Sequence, residues 1–387
     1  MKSILIEGWR FLPHSYAMVN QFQCLEMLRR PDLKLYFRDM PFVRPDWRQV
    51  RGLFDAAQEE RLAGLREPGA DEPVDAVFRI SFPYNFSPSK APRTAVFGTS
   101  EFHAVLKRDI AGSRELREAM QETTCVVITS SNWSKAGFLA SGATEERVFV
   151  IPLGIDPEIY HPIADEARKT LRKQVKLNDE FVFLHVGAMT PNKNIPFLLE
   201  AFARVCERHK HTRLILKGMD MLYNSRQLLE TSAKGLTQAQ INLIQSRVIY
   251  QGGVYSNSAM AELYQLADAY VTPYAAEGFN MPALEAAACG LPLVCTNGGS
   301  TDDFTTADFA LKIESQITPF FESGYLQKAL AVKKESLYHS MLKVIEDADF
   351  TAGARRKGPE FITAHFTWKH VVDQLLNILL PERATAP

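Results

Sequence analysis

Short apolar runs alternate along most of the chain with stretches whose apolar positions recur every three or four residues. Strands buried on both faces read as continuous apolar runs, so this alternation predicts parallel sheets joined by helical crossovers. Two series are visible. The first predicts strands at 3–7, 33–37, 76–80, 94–97, 125–129 and 148–151, with helices over 19–30, 47–65 and 134–141. The second predicts strands at 181–186, 212–217, 248–250, 269–272 and 293–295, with helices near 195–207, 258–266 and 281–289. A connector punctuated by Pro152, Gly154, Pro157 and Pro162 separates them, as expected of a junction between domains. A last helix over 369–380 carries Val371, Val372, Leu375, Leu376, Leu379 and Leu380, so one of its faces must be covered. The expected organisation is α/β, with two Rossmann-like doubly wound domains at 1–156 and 157–365 and a C-terminal segment at 366–387.

Length agrees with two cores, since 387 residues exceed the size at which one core stops growing. Hydrophobic residues at 46% and charged residues at 23% exclude a disordered or fibrous chain. Lys and Arg number 44 against 45 Asp and Glu, and residues 1–160 hold 20 against 21, so neither half predicts a nucleic-acid partner. Cys24, Cys125, Cys206, Cys289 and Cys295 form an odd set without CxxC spacing, which predicts thiols in a reducing, cytoplasmic setting. The start at Met1 runs into a strand without a signal-peptide pattern, and no apolar run approaches the length of a membrane span. Peripheral contact with the inner face of a membrane stays open. GxGxxG, GxxxxGK[ST] and GxSxG are all absent, which removes simple dehydrogenase, P-loop and serine-hydrolase readings.

The chemistry concentrates in 269–290. A buried strand ends at Pro273 and a loop follows; Asn280 or Met281 caps a helix, Pro282 occupies its first turn, and Gly290 supplies a left-handed stop. A loop after a parallel strand opens at the carboxyl edge of the sheet, and the N–H groups of a helix start attract phosphate. An anionic nucleotide is the expected ligand. Glu285 falls in the first turn of the helix, where its two oxygens suit a vicinal diol such as ribose, while Glu277 precedes the turn and can face the ligand's other end.

Glu277 and Glu285, with seven residues between them, resemble the donor signature of the retaining glycosyltransferases of family 4 (group 1), which have the GT-B fold. Residues 150–156 (VIPLGID) resemble that family's interdomain segment, 185–194 (HVGAMTPNKN) its phosphate-facing loop, and Phe366-Thr367-Trp368 its closing element; the likeness covers about residue 125 to residue 380. The resemblance implies two domains facing across a cleft, the last helix returning to the first. It implies donor contacts from Gly187, Lys193, Glu277, Gly278, Phe279, Asn280, Met281 and Glu285, with Glu285 on the ribose, Glu277 on the donor sugar or diphosphate, and Lys193 neutralising the leaving diphosphate. A nucleoside diphosphate sugar is then co-substrate, with no metal or other cofactor, and the acceptor is a hydroxyl of a glycan, a lipid-linked sugar or a small molecule.

Three departures qualify this. Ala188 stands where the family has a phosphate-binding Arg; Lys217, at a strand end, is the first candidate to replace it, with Arg10 and His14 behind it. Bulky residues replace a glycine pair after the first strand, so Arg10, His14, Ser15 and Tyr16 are expected to shape an acceptor pocket. The first domain's expected histidine is absent; Thr99 and Ser100 are placed with the acceptor, and Glu101 and His103 join Glu277 and Lys193 as catalytic candidates. Asp302 and Asp303 read as caps. Asp347 and Asp349 superficially resemble a metal-binding pair but sit in a charged helical stretch. Three rivals stand beside a transferase: a silent nucleotide-sugar-binding protein, a nucleotide-sugar epimerase and a sugar phosphorylase on the same fold.

Overall fold

The computed structural model describes residues 1–177 and 179–381; positions 382–387 of the expected C-terminal segment lie outside the described residues. The chain forms two compact units. One comprises Met1–Gly154, Phe321–Gln327 and the chain from Phe366 onward, the other Ile155–Phe320 and Lys328–His365.

The first unit is built from β1 (Lys2–Gly8), α1 (Ser15–Met27), β2 (Leu33–Asp39), α2 (Ala56–Gly64), β3 (Ala76–Ile80), β4 (Arg93–Phe97), α3 (Leu116–Gln121), β5 (Val126–Thr129), α4 (Asn132–Ala140) and β6 (Val148–Val150). The strands form one parallel sheet in the order β2-β1-β3-β4-β5-β6, with Ile4 of β1 opposite Leu35 on one side and Ala76 on the other. Ile4, Leu5 and Ile6 are all buried, which is why β1 reads as an unbroken apolar run. The helix predicted over 47–65 is confined to α2. Gly52 takes a left-handed φ of 83°, and Asp55 starts the helix with a capping box to Gln58. Before that point the chain is irregular, because Trp47 is buried edge-on against Trp9 at 5.9 Å and its apolar side chain serves a loop.

The second unit contains α5 (Asp165–Gln174), β7 (Phe181–Val186), α6 (Ile195–Arg208), β8 (Thr212–Lys217), α7 (Asp220–Tyr223), α8 (Ser225–Ala233), α9 (Gln238–Ile244), β9 (Val248–Gln251), α10 (Asn257–Leu266), β10 (Ala269–Thr272), α11 (Met281–Ala288), β11 (Leu293–Thr296), β12 (Ala310–Ile313), the start of β13 (Ser315–Glu322), the end of β14 (Tyr325–Val332), α12 (Lys334–Glu346) and α13 (Ala348–His365), the turn side of β13 and β14 counting with the first unit. Its six-stranded sheet runs β12-β11-β10-β7-β8-β9, parallel throughout. Leu198, Phe202 and Val205 of α6 pack with Phe183, Leu214 and Leu216 of the sheet and Leu337 and Met341 of α12. β12 and the β13–β14 hairpin were not predicted. The hairpin forms a sheet of its own and turns at Ser323-Gly324, both at positive φ, the geometry that matches the right-handed twist of paired strands.

The chain's last helix, α14 (Trp368–Leu379), packs on α1 within the first unit. Thr367 caps it in a box with His370, and the Trp368 ring stacks on Phe22 at 5.3 Å and 9°. Val371, Val372, Leu375 and Leu379 are buried, while Arg30 pairs with Asp373 at 2.7 Å. Gly154 lies against this start, where a Cβ would come 2.7 Å from the Trp368 nitrogen. Among the described residues no helix is long and apolar enough to cross a membrane. Replacing Trp368 by Ala removes a buried indole and its stack, and is expected to lower unfolding free energy by about 3–5 kcal/mol in urea titration. A loss below about 1 kcal/mol contradicts the packing described.

Candidate functional site

In the second unit, β7 has β8 on one side and β10 on the other, so successive connections leave β7 in opposite directions. At such a reversal the loops after the two central strands diverge at the carboxyl edge and leave a crevice. These loops are 187–194 and 273–280. Backbone and amide bonds tie them together: Ala275 N–H donates to Asn192 O at 2.7 Å, Asn192 Nδ2 to Ala276 O at 3.0 Å, and Asn194 Nδ2 to Pro273 O at 2.8 Å. The ties bring Lys193 and Glu277 into a largely buried ion pair, Lys193 Nζ donating to Glu277 Oε1.

Asn280 decides how α11 begins. It lies in the left-handed region (φ 75°, ψ 61°), its Nδ2 donates to Thr272 Oγ1 at 2.9 Å, and its Oδ1 accepts from Ala283 N–H at 3.3 Å. Pro282 has no N–H and that of Ala283 is occupied, so the helix start offers fewer anion donors than the sequence suggested. Phe279 is buried against Phe304 with ring centroids 4.9 Å apart, and Met281 is partly buried at the first helical position.

Glu285 projects from an otherwise apolar helix and is buried. It forms no ion pair among the described residues. The Tyr264 hydroxyl on α10 donates to its Oε2 at 2.7 Å, and Tyr160, whose hydroxyl donates to Asn257 Oδ1 at 3.4 Å, lies beside it as well. Burial pushes its pKa up to about 7, against the pull of the two phenols. His185 of β7 is also enclosed. Its Nδ1 lies 2.8 Å from the Val271 carbonyl, which can only accept, so the proton sits on Nδ1 and Nε2 carries a lone pair. Nε2 has no hydrogen-bond partner among the described residues and lies 3.3 Å from where a Cβ on Gly187 would sit; burial lowers the ring's pKa to about 4. Lys217 is buried at the end of β8, its ammonium donating to Gly218 O and Gly253 O at 2.6 and 2.7 Å with Tyr255 below it at 4.9 Å. No carboxylate pairs with it among the described residues, and desolvation lowers its pKa to about 8.

The first unit's candidates separate into two kinds. Arg10 is buried and committed to structure: it binds both oxygens of Asp39, donates to the Leu62 carbonyl, and lies over Phe37 at 4.2 Å. Ser100 is buried likewise, its N–H donating to Ser134 Oγ at 2.7 Å and its hydroxyl to Ala104 O at 3.1 Å. His14 caps α1 by accepting from Tyr16 N–H at 3.2 Å, between Trp9 and Trp47 with ring centroids 5.2 Å away, and burial lowers its pKa to about 4. Ser15, beside it, is exposed. Tyr16 and Thr99 do come together: the Tyr16 hydroxyl meets Tyr84 Oη at 2.9 Å and Thr99 Oγ1 at 3.1 Å, and burial pushes its pKa up to about 12. Around Trp133, the Glu101 carbonyl accepts from the indole N–H at 2.7 Å and the His103 ring packs at 4.8 Å, with His103 at a left-handed φ of 62°.

Comparison with known proteins matches this arrangement to a family. Residues 167–331, which hold both switch-point loops and α11, fit the profile described as "Glycosyl transferases group 1". Over that segment the chain is similar to the group 1 glycosyl transferases. Among curated relatives, the GDP-mannose-dependent alpha-(1-6)-phosphatidylinositol dimannoside mannosyltransferase of Mycobacterium tuberculosis is 28% identical over 47% of this chain and 43% of that protein. The mannosylfructose-phosphate synthase of Agrobacterium fabrum is 25% identical over 62% of this chain and 48% of its own. The chain thus spans under half the length of these relatives. Solved structures match over its whole length: Anabaena HepE, crystallised with UDP and glucose, at TM-score 0.69 and 15% identity covering 98% of this chain and 99% of that one. The sucrose-phosphate synthase of Thermosynechococcus elongatus gives 0.70 and 17%, covering 97% of both. The fold is therefore that of the GT-B glycosyltransferases.

Sequence reading missed Tyr160, Tyr264 and His185 as neighbours of the site. One signal was present: a lone carboxylate in the run Met281–Ala288 must find donors once buried. Which tyrosines supply them depends on chain separations of 125 and 21 residues, which no local pattern encodes. Among the described residues no three His, Cys, Asp or Glu side chains gather as a metal site. A groove of about 580 Å3 lined by Arg208, His339 and Lys343 lies at the C-terminal end of α6, on the edge of the sheet away from these loops.

The raised pKa of Glu285 has a consequence for stability. The folded state holds this proton up to about pH 7, while the unfolded chain releases it near 4.5, so stability falls as pH rises between those values. Glu285→Gln keeps an acceptor for Tyr264 without the buried charge. Its stability relative to the parent is expected to rise by on the order of 2–3 kcal/mol between pH 5 and pH 8, measured by urea unfolding at both pH values. A pH-independent difference contradicts the assignment.

Proposed function

We propose that the protein transfers a hexosyl group from a nucleoside diphosphate sugar to a hydroxyl acceptor, with retention at the anomeric carbon and without a metal ion. The observation that carries this reading is the Lys193–Glu277 pair across the switch-point loops, with Glu285 one helix turn beyond. The diphosphate takes the Lys193 ammonium, Glu277 turns to the donor sugar's hydroxyls, and Glu285 accepts from the ribose diol. Gly187 allows the diphosphate to approach the backbone, and the loop from Gly278 through Phe279 and Asn280 to Met281 lines the sugar side. Lys217 adds a second positive charge behind the loop.

In the transfer, the bond from the anomeric carbon to the diphosphate oxygen breaks and the acceptor oxygen bonds to the same face. The acceptor proton passes to the departing diphosphate, whose charge Lys193 stabilises. In this reading Tyr16, Thr99, His14 and Ser15 of the first unit are the acceptor-side candidates, and Glu101 and His103 its catalytic candidates. Arg10 and Ser100 serve that side by holding its loops. The mycobacterial relative is named for a phosphatidylinositol dimannoside substrate, which supports an acceptor presented at a membrane face. A cytoplasmic location accords with five free, buried cysteines.

The test is release of nucleotide from UDP-glucose, GDP-mannose or ADP-glucose in the presence of acceptor. An epimerase releases none and a phosphorylase needs inorganic phosphate instead. Lys193→Ala and Glu277→Ala are each expected to lower kcat by about 10²–10³-fold with the fold intact by circular dichroism. Unchanged rates in both variants reject this placement of the chemistry.

A further inference from the structure

Glu285 is surrounded by phenols. Tyr264 reaches it from α10 and Tyr160 from the segment entering the second unit, their rings 6.1 Å apart at 64°. The Tyr160 hydroxyl also lies 3.4 Å from Asn257 Oδ1, which places it at the start of α10. Tyr270 of β10, 6.3 Å from the Tyr264 ring, and Cys289, one turn along from Glu285, are the other titratable groups facing the carboxyl. A cation would fix the charge of such a carboxyl; phenols orient it and favour its ionised form without fixing the charge, because a hydroxyl donates to either protonation state but more strongly to the carboxylate.

We propose that Tyr264 and Tyr160 are positioning residues for Glu285, holding its carboxylate ready for the two hydroxyls of a ribose and coupling nucleotide binding to release of one proton. This rests on the nucleotide reading above. A diol donates two hydrogen bonds, and the ionised carboxylate accepts both more strongly than the acid does, so nucleotide binding favours loss of the Glu285 proton to solvent. Tyr264 stabilises the ionised form by the bond it donates and Tyr160 by its hydroxyl beside the carboxyl, so removing either makes that ionisation harder. The unliganded carboxyl stands near the middle of its titration at neutral pH, so small changes in its donors are read out directly as affinity.

The experiment is calorimetric titration with UDP, GDP and ADP and with their 2′,3′-dideoxy counterparts from pH 5.5 to 9, on the unaltered chain and on Tyr264→Phe and Tyr160→Phe. For the unaltered chain, affinity for the ribonucleotide is expected to rise about tenfold from pH 6 to pH 8. In Tyr264→Phe the midpoint moves up by about one pH unit, so binding is about fivefold weaker at pH 7 and nearly restored at pH 9. Tyr160→Phe moves it in the same direction and carries the test if Tyr264→Phe does not fold. The dideoxy nucleotides, without the diol, bind with no such pH dependence and equally to all three proteins. Binding of none of the three nucleotides to the unaltered chain overturns the nucleotide reading and this inference with it. Ribonucleotide binding with an unmoved midpoint in the folded variants, or an equal loss for the dideoxy compounds, overturns the inference alone.

Discussion

A parallel sheet that grows outward on both sides of one strand must send its connections apart at that strand, and in the second unit this happens between β7 and β10. The loops after those strands cannot cover one another, so the backbone there faces an opening instead of a packed layer. What keeps the loops ordered is a short set of side-chain bonds to main chain, from Asn192 and Asn194 to the carbonyls of Ala276 and Pro273. The Lys193–Glu277 pair depends on these ties, because the ammonium and the carboxylate come from positions 84 residues apart. Amide donors satisfy these buried carbonyls without adding charge, leaving the crevice's electrostatics to Lys193, Glu277 and the buried Lys217.

The two carboxylates that punctuate the 277–285 segment meet opposite environments, and the reason is local backbone geometry. Asn280 in the left-handed region turns the chain sharply into α11, so Glu277 stays at the loop's edge facing α6 while Glu285 lies one turn inside the helix against α10. A residue with an apolar side chain at 280 would lose both the cap to Ala283 and the bond to Thr272, and a left-handed φ would strain it. Glycine would tolerate the φ but not hold the cap. The asymmetry between an ion-paired and a phenol-bound carboxylate thus follows from one asparagine.

The parts of this architecture that were legible in the sequence are those governed by local burial. The strands at 76–80, 181–186, 212–217 and 269–272 are observed with the predicted bounds, because an apolar run flanked by breakers leaves little choice. The helix start at 195 was readable too, and α11 ended within one residue of expectation. Where apolar residues serve contacts distant in sequence, the pattern misleads. Trp47 looked helical and instead fills a loop against Trp9, and β13 leaves Ile317 and Phe321 exposed, without the buried face that alternation detects. The same division runs through the site. Glu277, Glu285 and Lys193 announce themselves in short motifs, whereas the commitment of Arg10 to Asp39 and the phenols around Glu285 are tertiary facts.

An ion pair in the path of an anion has a consequence for selectivity. Lys193 is already neutralised, so a bare phosphate entering the crevice must displace Glu277 and leave its carboxylate buried without a partner, which opposes binding. A ligand that brings hydroxyl groups alongside its diphosphate supplies Glu277 with new donors at the moment it takes Lys193. The exchange then replaces one charge-assisted contact by two, and the buried carboxylate is never left alone. If Glu285 meets the ribose as proposed, it imposes a parallel condition at the other end, since a ligand without a diol gives its desolvated carboxylate nothing in return for ionising. On the proposed reading, the two carboxylates reject by their unmet needs what they do not recognise, and the intact sugar nucleotide is the ligand that satisfies both together.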